Sequence, residues 1–286
     1  MSQQEQVLNK EATQRLIRLG LDEDFAYGPD ATTEATIDAD VQMTAHFVPR
    51  KPGVVAGLAV IEWTMQELSP EITVTIHAQD GDTVAPGDKL ATVTGPARAI
   101  LSAERTTLNL LTYASGIATQ THRWTEELSG TKAHVRDSRK TLPGYRDLAK
   151  YAVRCGGGVN HRMGLGDAVL IKDNHVASVG SVAEAYRRTT HAFPHLPREI
   201  EVDNLDQLEE VLAYSPALVM LDNFSVERTR VAVDKRNALS PGTKLESSGG
   251  LNLESARSYA ETGVDFLAVG ALTHSVSVLD IGLDAD

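Results

Sequence analysis

Two textures of hydrophobic and polar positions divide the chain. Between Ile37 and Gly95, short runs rich in Val, Thr and Ile, such as MTAHFV, ITVTIHA and KLATVTG, are separated by turns of the GDTVAPGD kind. Runs of this length between turn residues predict strands, and hence a β-rich first domain. From Lys132 onward, short apolar runs alternate with helical segments, the pattern of βα units around a parallel sheet. Strands are predicted at 133–137, 168–172, 198–202, 217–221, 243–247 and 265–269. Six strands fall short of the eight that close a barrel, which implies an incomplete or open one. Helical spacing predicts a helix over 5–20 closed by Gly20, a helical stretch from Pro96 to Leu128 broken at Ser115 and Gly116, and a helix from Pro143 with Gly156 past its end. DEDFAYGPDATT reads as a turn-rich connection, and the final VSVLDIGLD alternates weakly and is expected to pair with the first domain.

Composition narrows the partners. A 286-residue chain with 42% hydrophobic residues can fill the cores of two domains. Its formal net charge of -12 argues against nucleic acid, which needs an extended basic footprint. No apolar run approaches bilayer length, and the N-terminal residues lack a basic region followed by an apolar core. The single cysteine, Cys155, cannot form an intrachain disulfide and points to a reducing, cytoplasmic setting. Beside GGG at a helix end, it reads as packing rather than as a nucleophile.

Against that acidic balance, residues 137–175 concentrate cations: Arg139, Lys140, Arg146, Lys150, Arg154, His161, Arg162, Lys172 and His175. Arg146, Lys150 and Arg154 fall four apart and read as the solvated face of a helix. Arg139 and Lys140 after a strand, His161 and Arg162 after three glycines, and Lys172 at a strand end sit where a scaffold presents side chains to a ligand. A positive site in an acidic protein suggests a small polyanion. The strand ends add acids: Lys172, Glu201 with Asp203, Asp222, Glu246 and Gly270 close successive apolar runs, and in a β/α barrel such ends converge on one mouth. Glycine-bearing segments after the last two strands, ESSGGLNLES and VGALTHS, offer backbone N–H groups to a phosphate.

DSRKTLPG, KYAVRCGGGVNHRMGL and LIKDNH resemble the signature of the quinolinate phosphoribosyltransferase family. The resemblance continues through ERTTLNLLTYASGIATQT and LESSGGLNLESARSYAETGVDFLAVGALTHS, and so covers most of the chain. It implies an α/β protein with an N-terminal α/β sandwich domain over 1–116, completed by 276–286, and a C-terminal open β/α barrel over 117–275. It implies a homodimer in which Arg105, from the ERT motif, reaches the neighbouring subunit's site. Quinolinate is expected on Arg105, Ser138, Arg139, His161, Arg162 and Lys172; Ser138 stands where many members have Thr and keeps the hydroxyl donor. The phosphate of 5-phosphoribosyl 1-pyrophosphate is expected on Ser248, Gly249, Gly250, Val269, Gly270, Ala271 and His274. Glu201 and Asp222 would hold Mg²⁺, and Lys140, Lys172, Glu201 and Asp222 would carry catalysis.

Other readings compete on particular residues. Lys172 at a strand end also suits a Schiff-base barrel aldolase. A phosphosugar-binding protein without turnover, and a relative acting on another anionic ring, would use much the same loops. DGDTVAPGDKLATVTG resembles the hammerhead turn of biotinyl and lipoyl carriers, without their hairpin-tip lysine.

Overall fold

The computed structural model describes residues 7–286, so the first positions of the helix read from residue 5 lie outside the described residues. Along the chain run α1 (Lys10–Phe25), α2 (Ala31–Thr36), β1 (Gln42–Pro49), β2 (Gly53–Val54), α3 (Ala59–Leu68), β3 (Thr73–Ile76), β4 (Thr83–Val84), β5 (Ala91–Pro96) and α4 (Ala97–Glu127). There follow β6 (His134–Arg136), α5 (Arg146–Cys155), β7 (Val169–Ile171), α6 (Asp173–Val179), α7 (Val182–Ala192), β8 (Arg198–Val202), α8 (Leu205–Leu212) and β9 (Leu218–Asp222). The chain ends with α9 (Val226–Leu239), β10 (Lys244–Ser248), α10 (Leu253–Ala260), β11 (Phe266–Ala268), α11 (Ala271–His274) and β12 (Ile281–Ala285). It divides into two compact units, one formed by residues up to His122 with 140–157 and 271–286, the other by 123–139 and 158–270.

The first unit is built on an antiparallel sheet in the order β12-β1-β5-β3. β12 returns to pair with β1, Ala45 opposite Ala285 and Pro49 opposite Ile281, as the weak alternation of the last residues predicts. Ala45, Phe47, Ala91 and Val93 are buried and pack with Ile61 and Met65 of α3, a helix the strand-like texture of this region concealed. Burying such side chains is worth roughly 1.5–3 kcal/mol for each large one.

Four sequence expectations fail in this unit, most of them through tertiary packing. Ser115 and Gly116 do not break α4, which runs unbroken. A Cβ on Gly116 would lie 2.4 Å from the Ser277 carbonyl oxygen, so this glycine admits a neighbouring backbone, while Ser115 Oγ accepts the Ala56 N–H. Gly20 lies inside α1, where a Cβ would meet Thr106 at 2.9 Å. Pro143 sits in a turn, with Gly144 at φ 79, and α5 starts only at Arg146. Nor is the cationic stripe of α5 solvated: Lys150 has no exposed surface, and Arg146 and Arg154 are half-buried. Neighbours cover α5 beyond its apolar face of Leu148, Ala149, Ala152 and Val153.

All six predicted strands of the second unit form, as one sheet in the order β6-β11-β10-β9-β8-β7 with every neighbouring pair parallel. The first two strands in sequence therefore occupy the two ends of the order and do not pair with each other, which makes this an open barrel. The segment after Gly158 bridges the seam. Val159 forms a parallel bridge with Arg136, donating its N–H to the Val135 carbonyl at 3.0 Å, and Arg162 Nη1 donates to the Ala168 carbonyl, next to β7, at 3.0 Å. Among the described residues, no helix is long and apolar enough to cross a membrane.

Candidate active site

In the second unit the basic and acidic candidates arise from different parts of one scaffold. Arg139 follows β6, Arg162 belongs to the seam segment, and Lys172 follows β7 as the N-cap of α6. Arg139 and Arg162 are half-buried, and the Nε of each is buried with no hydrogen-bond acceptor. Burial, and after it the Arg139 charge, holds the Arg162 guanidinium below its ordinary range, so the two cations are near enough to repel. An unsatisfied buried donor costs roughly 1–3 kcal/mol, more when charged. Two side by side are expected where an anion is to be received.

His161 is buried, and both ring nitrogens are engaged by protein. Nδ1 accepts the Arg162 N–H at 2.7 Å, and Nε2 lies 2.7 Å from Glu199 Oε2. With Nδ1 accepting, the proton sits on Nε2, which donates to Glu199. Glu199 shares the interior with Glu246, whose Oε2 accepts Arg136 Nη1 at 2.6 Å. Burial raises both carboxyls above the carboxylate range; the Glu199 charge raises Glu246 further, and Arg136 opposes the shift in each. His161, Glu199 and Glu246 lie close enough to surround an ion, but Arg136 already supplies a cation there. Period-2 alternation in REIEVD, which puts Glu199, Glu201 and Asp203 on one face of β8, was the signal that could have found Glu199.

Lys172 Nζ lies 3.0 Å from Glu201 Oε2, an ion pair with its cation half exposed and its acid buried. Glu201, Asp203 and Asp222 each offer a carboxylate oxygen, all within 4.8 Å of one another. Burial raises the Glu201 carboxyl against the pull of Lys172, and burial followed by the Asp203 charge raises that of Asp222. Three oxygens that repel as anions fit Mg²⁺, which takes one or two carboxylates and completes its shell with phosphates and water. Asp203, read from sequence only as a strand-end acid, thus joins the expected pair.

The loop after β10 lies against the acidic strand end. Gly249 and Gly250 have φ values of 90 and 62, and a Cβ on Gly249 would fall 2.1 Å from Asn223 Oδ1, whose amide donates to Asp222. Ser248 ends β10, and α10 starts after Asn252, which already accepts the Ser255 N–H. After β11, the Val269 N–H donates to the Arg136 carbonyl and Gly270 begins the next turn. Ser138 is half-buried between Asp137 and Arg139.

The remaining candidates belong to the first unit. Lys140 is exposed, and its carbonyl accepts the Thr273 hydroxyl at 2.8 Å. Ala271 opens α11, and His274 Nδ1 lies 2.6 Å from Ser275 Oγ. Arg105 is exposed on α4, at a cleft of about 410 Å³ shared with Asn109, Tyr113, Tyr145 and Asp280. Cys155 carries a free thiol that burial pushes up to about 12, in keeping with an inert role.

An open parallel barrel that sets two guanidiniums with unsatisfied Nε donors and a cluster of carboxylates around its strand ends, beside a glycine loop, defines a transferase that handles an anionic sugar phosphate. The chain belongs to the quinolinate phosphoribosyl transferase family: the model of that family's N-terminal domain matches residues 30–115 and that of its C-terminal domain residues 117–284. It is 55% identical over 276 residues to the nicotinate-nucleotide pyrophosphorylase [carboxylating] of Mycobacterium leprae, covering 96% of this chain and 97% of that protein. It is 39% identical to a probable nicotinate-nucleotide pyrophosphorylase [carboxylating] of Bacillus subtilis, covering 90% and 88%. The solved nicotinate-nucleotide pyrophosphorylase of Francisella tularensis superposes with a TM-score of 0.93 at 37% identity, covering 100% of both chains.

Proposed function

We propose that the chain transfers the phosphoribosyl group of 5-phosphoribosyl 1-pyrophosphate to quinolinate with loss of CO2, forming nicotinate mononucleotide and pyrophosphate in NAD biosynthesis. One observation carries the reading: Arg139 and Arg162, in a protein of net charge -12, keep buried Nε donors without an acceptor. A doubly anionic ring satisfies both.

Arg139, Arg162 and Lys172, with the Ser138 hydroxyl and with Arg105 supplied by a second copy of the chain, pair the two carboxylates. Each charge-assisted hydrogen bond contributes about 1.5–3 kcal/mol. His161 joins this quinolinate-binding set and also holds the Arg162 backbone, whose N–H its Nδ1 accepts. The pyridine nitrogen attacks C1 of the sugar with its lone pair, and the C1–O bond breaks with its electrons going to pyrophosphate. Lys140 stabilises the departing charge, while Glu201 and Asp222 face the positive sugar carbon. Ser248, Gly249, Gly250, Val269, Gly270, Ala271 and His274 hold the 5-phosphate. Mg²⁺, when bound by Glu201 and Asp222 with the diphosphate, supplies further positive charge against the leaving group. Quaternising the nitrogen makes the ring an electron sink: the C2–carboxylate bond breaks, the pair left on C2 is stabilised by the adjacent N⁺, and C2 takes up a proton. No protein nucleophile is needed, and the chain's contribution is positioning and electrostatics. A homodimer in the cytoplasm, with Arg105 shared between subunits, completes the proposal.

Release of CO2 and formation of nicotinate mononucleotide with Mg²⁺ tests the reaction, and turnover of nicotinate but not of quinolinate would overturn the substrate. Mixing Arg105→Ala and Lys172→Ala chains tests the shared site. Activity recovered in mixed dimers supports it, and confirmed heterodimers without recovery remove Arg105 from the partner's pocket.

A further inference from the structure

Arg139 and Arg162 repel each other and lie on segments separated in sequence, so something must hold them at one place. Asp137 is fully buried, two residues before Arg139. Its Oδ1 accepts the His161 N–H at 2.8 Å and its Oδ2 accepts Asn160 Nδ2 at 2.5 Å. Its own N–H donates to the Val159 carbonyl at 3.3 Å. One carboxylate thus fastens the seam segment that carries Arg162 to the strand end that carries Arg139. Burying a polar group is expensive unless it is hydrogen-bonded, and these bonds go to the segment that bridges the seam.

We propose that Asp137 is the positioning residue of the dicarboxylate clamp: it sets the separation of Arg139 and Arg162 and thereby tunes the site to quinolinate, without itself touching the substrate. This rests on the function proposed above. Asp137 holds two loops by accepted hydrogen bonds, so its loss lets the guanidiniums move apart under their mutual repulsion. Glu201, Asp222 and the glycine loop sit on other strands and keep their arrangement, and Lys140, which shares the Arg139 segment, acts on the departing charge, so its displacement lowers kcat rather than raising the KM for the sugar diphosphate. The affected step is therefore dicarboxylate binding, with the sugar diphosphate little affected.

The test measures KM for quinolinate and for 5-phosphoribosyl 1-pyrophosphate separately in the full chain. Asp137→Ala is expected to raise the quinolinate KM at least tenfold while the other KM changes less than twofold. Asn160→Ala, which removes one arm at a half-buried position, is expected to raise the quinolinate KM about threefold and keeps the test decisive should Asp137→Ala fail to fold. The exchange Asp137→Asn with Asn160→Asp reverses the side-chain donor and acceptor, and should return the quinolinate KM to within threefold of wild type. Equal changes in both KM values, or an unaltered quinolinate KM in folded Asn160→Ala and Asp137→Ala chains, would overturn the positioning role. Wild-type turnover is measured first: its absence sinks the function and this inference together, whereas turnover with an unsplit response sinks the inference alone.

Discussion

The two sheets bury opposite kinds of residue. In the antiparallel sheet of the first unit the inward positions are Ala45, Phe47, Ala91 and Val93, all without exposed surface. In the parallel sheet of the second unit, Glu199, Glu201 and Glu246 lie buried among Ile200, Val202 and Leu245. An apolar interior needs only shape; a charged one is tolerated where partners exist or where a ligand will complete them. The first sheet is thus organised for stability, and the second gives up some stability to keep ionisable groups within its strands and at their ends.

That contrast can be broken most sharply at Arg162. Replacing it by Ala should cut kcat/KM for quinolinate by about a hundredfold or more, the worth of two charge-assisted hydrogen bonds, while the melting temperature changes little because relief of the repulsion from Arg139 offsets the lost bond to the Ala168 carbonyl. An unchanged quinolinate KM would erase the distinction between the sheets. Phe47→Ala should do the reverse. Deleting a fully buried ring from the first core costs about 3–5 kcal/mol, seen as a lower urea midpoint, with kcat/KM of the folded fraction preserved. Gly116→Ala should cost less, about 1–3 kcal/mol of overpacking against the Ser277 and Val278 backbone, again read by denaturant.

The smallest expected effect concerns pH. Burial raises the Glu246 carboxyl to about 8, so between the ordinary carboxylate range and that value the folded chain holds a proton the unfolded chain has released. Stability contributed by the neutral carboxyl is present at low pH and is lost as pH rises through this window. Glu246→Gln cannot ionise, so its melting temperature should fall less steeply than that of wild type as pH rises from the ordinary carboxylate range to about 8. Parallel curves would show that the buried acid is not held neutral.

Much of this was legible because the second unit repeats one local pattern. Its six strands are short runs that alternate with helices, which leaves little choice of sheet. Lys172, Glu201 and Asp222 were readable as strand ends for the same reason. What escaped reading depends on contacts between distant residues. Nothing local distinguishes Gly116, which admits a backbone, from a glycine that ends a helix, and the stripe at Lys150 has the spacing of a wet face although its helix is enclosed. Asp137 reads as a polar residue after a strand, because its meaning lies in Asn160 and His161. Glu199 was obscured by its neighbour Glu201, which ends the more conspicuous run.

The bridge across the open barrel has a thermodynamic corollary. Residues 159–162 close the ring and also present Arg162, so an anion gripped there selects molecules in which the ring is shut. Saturating ligand should therefore slow amide exchange at Val159 and His161 more than in the antiparallel sheet of the first unit, making the clasp a reporter of occupancy written into the backbone itself.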